Sequence, residues 1–157
     1  MIQRIQSLYL TITLAFLFVV TFGTTLFSFQ APEFLYKMAS FGVKKLDASG
    51  DQVEFRYIPF YYGGFVLILL CFFTLLVFKN LKLQLGLARF TTFLYFIVLV
   101  FLGFSAFLGT YYTKEDEVTV TIGSGFYLML LGLPMLLLAI RGINKDRKLI
   151  DSVNRLR

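Results

Sequence analysis

The sequence predicts an all-α membrane protein with four transmembrane helices in one bundle and a small β-hairpin or three-stranded sheet in the extracytoplasmic loops. The first observation is composition: 58% of the 157 residues are hydrophobic and 15% are charged, against about 25% charged in soluble domains. The second is the position of the charges. Four long runs contain no charged residue and are bounded by Arg4 and Glu33, Arg56 and Lys79, Arg89 and Lys114, and Glu117 and Arg141. Each run exceeds the about 20 residues that a helix needs to cross a bilayer.

The rare residue types restrict the chemistry. The chain has no histidine and one cysteine, Cys71, which lies inside the second uncharged run. One cysteine cannot form a disulfide within the chain, and zinc sites are built mainly from cysteine and histidine, so we expect no metal site and no cofactor. Cys71 is expected to be a small apolar filler. The net charge of +6 would suggest nucleic acid in a soluble protein, but here the distribution of charge across the membrane explains it, and we expect no nucleic-acid partner.

Helix 1 is predicted over residues 5–29, directly after Arg4. Its uncharged run is much longer than the about 7–15 residues of a signal-peptide core, so we expect an uncleaved membrane helix. In the connection that follows, Gln52–Ile58 alternates polar and apolar residues with the period of a strand. Ala48–Asp51 has turn-forming residues, and Phe34–Leu46 supplies a preceding strand. These features predict a β-hairpin.

The second half of the chain contains three further predicted helices. Helices 2, 3 and 4 are predicted over residues 59–78, 90–112 and 123–140. Pro59 suits the first turn of a helix, where a backbone N–H is not needed, whereas Pro134 lies inside helix 4 and should kink it. Val118–Ile122 alternates again and is expected to add a third strand to the hairpin.

The basic residues predict the orientation. The N-terminus, the link over residues 79–89 and the tail over residues 141–157 carry ten of the 15 basic residues and two of the nine acidic ones. By the positive-inside rule, these three segments lie in the cytoplasm and the strand-bearing connections lie outside. We therefore expect one transmembrane domain in a cytoplasmic membrane, with both termini in the cytoplasm.

The tail has the pattern of a basic amphipathic helix. At about 100° per residue, the apolar residues of the tail share one sector: Ile143, Leu149, Ile150, Val153 and Leu156. Basic residues occupy the other half: Arg141, Lys145, Lys148 and Arg155. We expect this helix to lie along an anionic cytoplasmic leaflet, where each basic residue contributes about 1 kcal/mol. The alternative is a simple cytoplasmic tail that helps to set the topology.

One acidic residue of the tail, Asp146, falls among the apolar residues of that helix. A carboxylate pressed toward lipid or protein costs free energy unless it is paired. We expect Asp146 to bond Arg4, with Gln3 or Gln6 adding polar contacts, so that the tail is latched to helix 1. Arg89 is the second candidate, because a guanidinium can grip a carboxylate with two bonds. The alternative is a local pair with a neighbouring basic residue in solvent, which contributes well under about 1 kcal/mol.

Three segments carry a resemblance to a known family. They are Gln3–Leu10, Asn80–Gln84 and, near the end of the chain, Ala139, Arg141, Ile143, Lys145, Asp146, Leu149, Ser152, Arg155, Leu156 and Arg157. Over its whole length the chain resembles a bacterial family of small four-helix membrane proteins known only as a domain of unknown function. The resemblance implies an inner-membrane protein with four spans, and it implies no activity and no catalytic residue. The layout, with strands in a long first loop and a short second loop, is also similar to that of the claudins.

The sequence favours a non-enzymatic role. Apart from Cys71 and tyrosines, no predicted helix core contains an ionisable residue, whereas enzymes and transporters use such groups in a pocket or at membrane depth. We predict an accessory or structural subunit of a larger membrane complex, whose candidate interaction residues are Arg4, Gln6, Asp146, Arg155 and Arg157. The alternative is a protein that handles lipid or a small hydrophobic ligand in a cavity between the helices.

Overall fold

The fold is a four-helix bundle with a five-stranded antiparallel sheet at one end. The computed structural model describes the backbone of residues 3–112 and 118–155, and the side chains of residues 5–110, 118–150 and 152. In chain order the elements are α1 (Gln3–Gly23), β1 (Thr25–Gln30), β2 (Phe34–Ala39), β3 (Gly42–Asp47), β4 (Gln52–Tyr57), α2 (Tyr61–Leu76), α3 (Leu81–Tyr112), β5 (Thr119–Ile122) and α4 (Ser124–Arg155).

Neighbouring helices pack in antiparallel pairs around a common core: α1 with α2 and α4, and α3 with α2 and α4. The core is filled by large apolar side chains with about 0–1% of their surface exposed, among them Leu10, Leu17, Leu67 and Leu136. Among the described helices, three are long and apolar enough to cross a membrane, over Ile5–Gly23, Leu81–Thr110 and Ser124–Ile150. The fourth, α2, is apolar but has 16 residues.

Helix 1 ends earlier than the sequence predicts. The prediction over residues 5–29 is wrong at its C-terminal end, because α1 stops at Gly23 and Thr25–Gln30 forms strand β1. Leu26, Phe27 and Phe29 are buried in this strand at 1–3% exposure, and its backbone bonds to β2 on one side and β5 on the other. This segment lacks charge because its side chains are buried in a strand, and not because it is part of a helix.

The sheet confirms the two predicted alternating segments and contains more strands than expected. Val53–Tyr57 lies in β4 and Val120–Ile122 lies in β5. The strand order is β4-β3-β2-β1-β5, so the predicted strand over Phe34–Leu46 is two strands that turn at Ser40 and Phe41. Gly42 follows this turn, and a Cβ there would overlap the carbonyl of Arg56 on the neighbouring strand.

The basic link between helices 2 and 3 is largely helical. The predicted bounds of 59–78 and 90–112 are wrong, because α2 covers Tyr61–Leu76 and α3 already begins at Leu81. Asn80 caps this start: its side-chain oxygen accepts a hydrogen bond from the Leu83 amide at 3.3 Å. Asparagine is a preferred N-cap residue. Asn80 directly precedes Leu81, so the sequence itself contains this signal for the start of α3.

The tail is helical, but it is not a separate element. The predicted end of helix 4 at residue 140 is wrong, because α4 runs unbroken from Ser124 to Arg155 with Pro134 inside it. The chain has no proline between Ile140 and Arg155, and helices break or kink sharply at few other features. The tail is therefore part of the same helix as the last span of the bundle.

Candidate functional site

Among the described residues, three buried side chains with an amide or a carboxyl group mark the end of the bundle opposite the sheet. Gln6 on α1, Gln84 on α3 and Asp146 on α4 have 3%, 2% and 6% of their surface exposed. We call these three residues the polar cluster. Glutamine and aspartate are mostly exposed in proteins unless they are paired, so their burial on three different helices indicates a specific local role.

Helix packing places the polar cluster at one level of the bundle. A Cβ built on Gly142 would lie 3.1 Å from Cγ of Gln6, and Asp146 lies one turn further along α4, on the same face. Ile143 of α4 packs against Leu85 and Ala88 of α3. These two helices are antiparallel, so a step of one turn toward the C-terminus of α4 matches a step of one turn toward the N-terminus of α3. Asp146 lies about one turn after Ile143 and Gln84 lies one turn before Ala88, so the two residues are at the same level.

Most polar atoms of the cluster lack a hydrogen-bond partner. Gln84 Nε2 donates to the carbonyl oxygen of Thr74 on α2 at 3.3 Å. Gln6 Nε2, Gln84 Oε1 and both carboxylate oxygens of Asp146 are buried, and no described residue bonds them. The cluster thus presents a negative charge and three free acceptor atoms against one free donor.

The predicted partners of Asp146 have mixed outcomes. Neither carboxylate oxygen accepts a hydrogen bond from a described side chain, so Arg89, which is exposed on α3, does not partner it in this structure. The side chains of Arg4, Arg155 and Arg157 lie outside the described residues. The latch between Asp146 and Arg4 therefore stays a prediction, while the burial of Asp146 and the nearness of Gln6 to α4 are structural facts.

The arrangement suits a cationic hydrogen-bond donor. A buried polar group without a partner costs about 1–3 kcal/mol, and more when it is charged. A guanidinium or ammonium group supplies positive charge and several N–H donors, which match a carboxylate and an amide oxygen. The cluster is therefore a place where an arginine or lysine, from this chain or another, would lower the free energy.

Sequence reasoning missed Gln84. It lies in the segment predicted as a non-helical link, where a polar residue is unremarkable. On a helix that begins at Leu81, however, Gln84 shares one face with Ala88 and Thr91, and these residues are 2%, 0% and 1% exposed. The signal that would have revealed it is the N-cap at Asn80.

The tail beyond the polar cluster exposes an apolar pair. Leu149 and Ile150 have 46% and 48% of their surface exposed, and their described neighbours Lys148 and Ser152 are also exposed. Such a pair on a helix that projects from the bundle marks a contact surface only when a partner or a membrane covers it.

At the opposite end, a pocket of about 630 Å³ separates the sheet from the outer part of α3. One wall is a face of the sheet, with alternate residues of three strands: Tyr36, Met38, Val43, Lys45, Glu54 and Arg56. The other wall is one face of α3: Phe101, Phe104, Ser105, Leu108 and Gly109. We call this space the outer pocket. The sequence alone indicates only that Lys45 lies at the polar edge of a strand, and it does not assign Arg56 to a site, because the proximity of both residues to α3 depends on the sheet register.

Comparison with known proteins gives a family and no activity. A family model described as "Domain of unknown function (DUF4293)" matches residues 2–156, which is nearly the whole chain. No curated protein matches the chain. The predicted resemblance to a domain of unknown function is confirmed.

Proposed function

Because the chain belongs to the DUF4293 family of unknown function, we propose a role for it from its own structure: a non-enzymatic accessory subunit of a larger complex in a bacterial cytoplasmic membrane. In this proposal all four helices cross the bilayer, both termini lie in the cytoplasm and the sheet lies outside. The claudin-like layout of strands and helices belongs to the same proposal.

The packing of α2 supports four crossings. Gly64 near the start of α2 faces Thr21 near the end of α1, and a Cβ at Gly64 would overlap the Thr21 hydroxyl. Cys71 lies further along α2, where its thiol contacts the Leu10 carbonyl at 3.5 Å. α2 therefore lies beside the apolar part of α1 over most of the length of α2. If α1 crosses the membrane, α2 spans the same part of the bilayer.

The charge at the two ends of the bundle supports the orientation. The end opposite the sheet carries exposed basic residues on three segments: Lys79, Lys82, Arg89, Arg141, Lys145 and Lys148. At the sheet end the described charges balance, with four acidic residues against four basic ones: Glu33, Asp47, Asp51 and Glu54, and Lys37, Lys44, Lys45 and Arg56. The positive-inside rule assigns the basic end to the cytoplasm.

The extension of α4 is the observation that carries the role as an accessory subunit. α4 continues past Arg141 as the same helix, and a tail that keeps this helix axis leaves the bundle and does not lie flat on the leaflet. Its exposed Leu149 and Ile150 then face a partner protein, and neighbouring basic residues favour a partner with an acidic surface. The filled apolar core of the bundle also suits a structural role, because large side chains occupy the space between the helices.

Isolation in a mild detergent tests this role. We expect the native protein to co-purify with a larger membrane protein at a fixed stoichiometry. The double variant Leu149→Asp/Ile150→Asp should lose that partner while keeping its helix content, whereas Ser152→Asp, also exposed on the tail, should retain it. A native protein that elutes alone in several mild detergents would refute the role.

The outer pocket favours a second candidate function, the handling of a lipid or another hydrophobic ligand. Its volume of about 630 Å³ lies within the range of about 300–1,000 Å³ typical of ligand sites. It combines an apolar wall with a few charged groups, which is the usual composition of such sites.

A further inference from the structure

The outer pocket has two chemically different walls. The wall on α3 is apolar, with Phe101, Phe104 and Leu108 on one helical face. The wall on the sheet carries Lys45 and Arg56, both cationic, and the single carboxylate of Glu54. An occupant that satisfies both walls has an apolar part and an anionic part.

The cations of the sheet wall remain available to a ligand. Lys45 is paired in register with Glu54 on the adjacent strand. Its ammonium nevertheless lies over the ring of Phe34, 3.7 Å from the centroid. Lys45 is half-buried, and a cation–π contact contributes about 0.5–2 kcal/mol, so an anionic group that bonds this ammonium directly can compete with the ring.

The apolar wall continues toward the cytoplasmic end of α3. Phe93, Ile97, Phe101 and Phe104 form a stripe on this helix with exposed fractions of 63%, 48%, 58% and 56%. If α3 crosses the bilayer, this stripe faces acyl chains, and the outer pocket lies at its outer end. The floor of the pocket is apolar as well: the rings of Phe60 and Phe101 meet with centroids 5.8 Å apart.

We propose that the outer pocket binds one anionic phospholipid of the outer leaflet, with its headgroup between Lys45 and Arg56 and an acyl chain along α3. This inference rests on the proposed placement of the sheet outside the membrane. The pocket volume accommodates the headgroup and the first part of a chain, and the exposed stripe of α3 takes the rest. Two cations against one carboxylate favour an anionic headgroup over a zwitterionic one.

The absence of tryptophan from the chain allows a clean test, because one introduced tryptophan is the only indole. Phe104→Trp reports on the pocket, and Leu108→Trp is a second pocket reporter in case the first perturbs the fold. Phe93→Trp is the matched control, since it lies on the same exposed stripe about 16 Å away along the helix. Each variant is reconstituted into vesicles that contain brominated phosphatidylglycerol or brominated phosphatidylcholine as a minor component, and fluorescence quenching is measured.

We expect brominated phosphatidylglycerol to be enriched about tenfold over its bulk fraction at residues 104 and 108, with no such preference at residue 93. The change Lys45→Gln/Arg56→Gln should abolish the enrichment. Lys37→Gln/Lys44→Gln should preserve it, because these two lysines are paired on the opposite face of the sheet. Free glycerol phosphate should not reduce the quenching, since it lacks the apolar part.

Equal quenching by the two lipids at residue 104, or an anionic preference that survives Lys45→Gln/Arg56→Gln, would overturn the lipid site. Displacement by free glycerol phosphate would also overturn it and would indicate a site for a soluble anion. Efficient quenching at residue 93 without a preference at residue 104 leaves the membrane placement intact and refutes only the pocket. Absence of quenching at both positions would refute the membrane placement itself.

Discussion

The hydroxyl of Tyr95 on α3 donates a hydrogen bond to the carbonyl oxygen of Met129 on α4 at 2.8 Å, and it lies directly against Gly132. Tyr95 is completely buried. Pro134 has no amide hydrogen, so the Leu130 carbonyl four residues before it lacks its helical donor, and the Tyr95 hydroxyl bonds the adjacent carbonyl of the same turn. The absence of a side chain at residue 132 makes room for the tyrosine hydroxyl.

Gly132→Ala should therefore destabilise the protein, because the added Cβ would overlap the Tyr95 hydroxyl. Overpacking of this kind typically costs about 1–3 kcal/mol, measurable as the free energy of unfolding in mixed micelles. Tyr95→Phe removes the hydroxyl, so the double variant should be more stable than the sum of the two single effects predicts. Gly103→Ala on α3 is the control, since nothing lies within 4 Å of a Cβ there. Additive effects of the two changes would contradict this packing.

The predicted latch between Asp146 and Arg4 is tested by a charge exchange. Arg4→Asp and Asp146→Arg should each lower stability, since each would leave a charge without its partner near the buried polar cluster. The double variant should recover part of the loss, with a coupling energy of about 0.5–3 kcal/mol in a double-mutant cycle. Lys145→Asp, on the exposed face of the same turn, should have little effect. A coupling energy of zero would show that Asp146 takes its cation from elsewhere.

The contact of the tail is tested by limited proteolysis. In native membranes we expect the tail to be protected, because a partner covers Leu149 and Ile150, and in pure phospholipid vesicles we expect it to be cleaved. Leu149→Asp/Ile150→Asp should remove the protection in native membranes. Protection in anionic vesicles that contain no other protein would instead support the amphipathic helix on the leaflet that the sequence suggests.

Where lack of charge and length coincide, the sequence predicts that a helix is present, as in the run from Arg89 to Lys114, although it misses the start of this helix at Leu81. It fails at Thr25–Gln30, because a strand whose side chains are buried lacks charge just as a membrane helix does. Only the partners of β1, which are β2 and the distant β5, distinguish the two. A single sequence does not display such pairing.

The functional residues were predictable only in part. Asp146 stood out because an acid in an apolar sector is anomalous on any helix, and its burial at 6% exposure follows from that pattern. Gln84 was hidden by an incorrect helix boundary. Lys45 and Arg56 were hidden for another reason: they join α3 at one pocket through strand register and sheet position, which depend on contacts between distant segments.

The central claim, a protein that crosses the membrane four times with its sheet outside, is tested most directly by cysteine accessibility on the two sides of α2. In a Cys71→Ala background, Gly50→Cys in the β3–β4 turn and Lys82→Cys at the start of α3 are labelled in intact cells with a membrane-impermeant maleimide. Both positions are exposed, so each can react when the reagent reaches it. We predict labelling of Gly50→Cys in intact cells, and of Lys82→Cys only after the membrane is permeabilised. Labelling of both in intact cells would show that α2 does not cross the membrane, and would contradict the account.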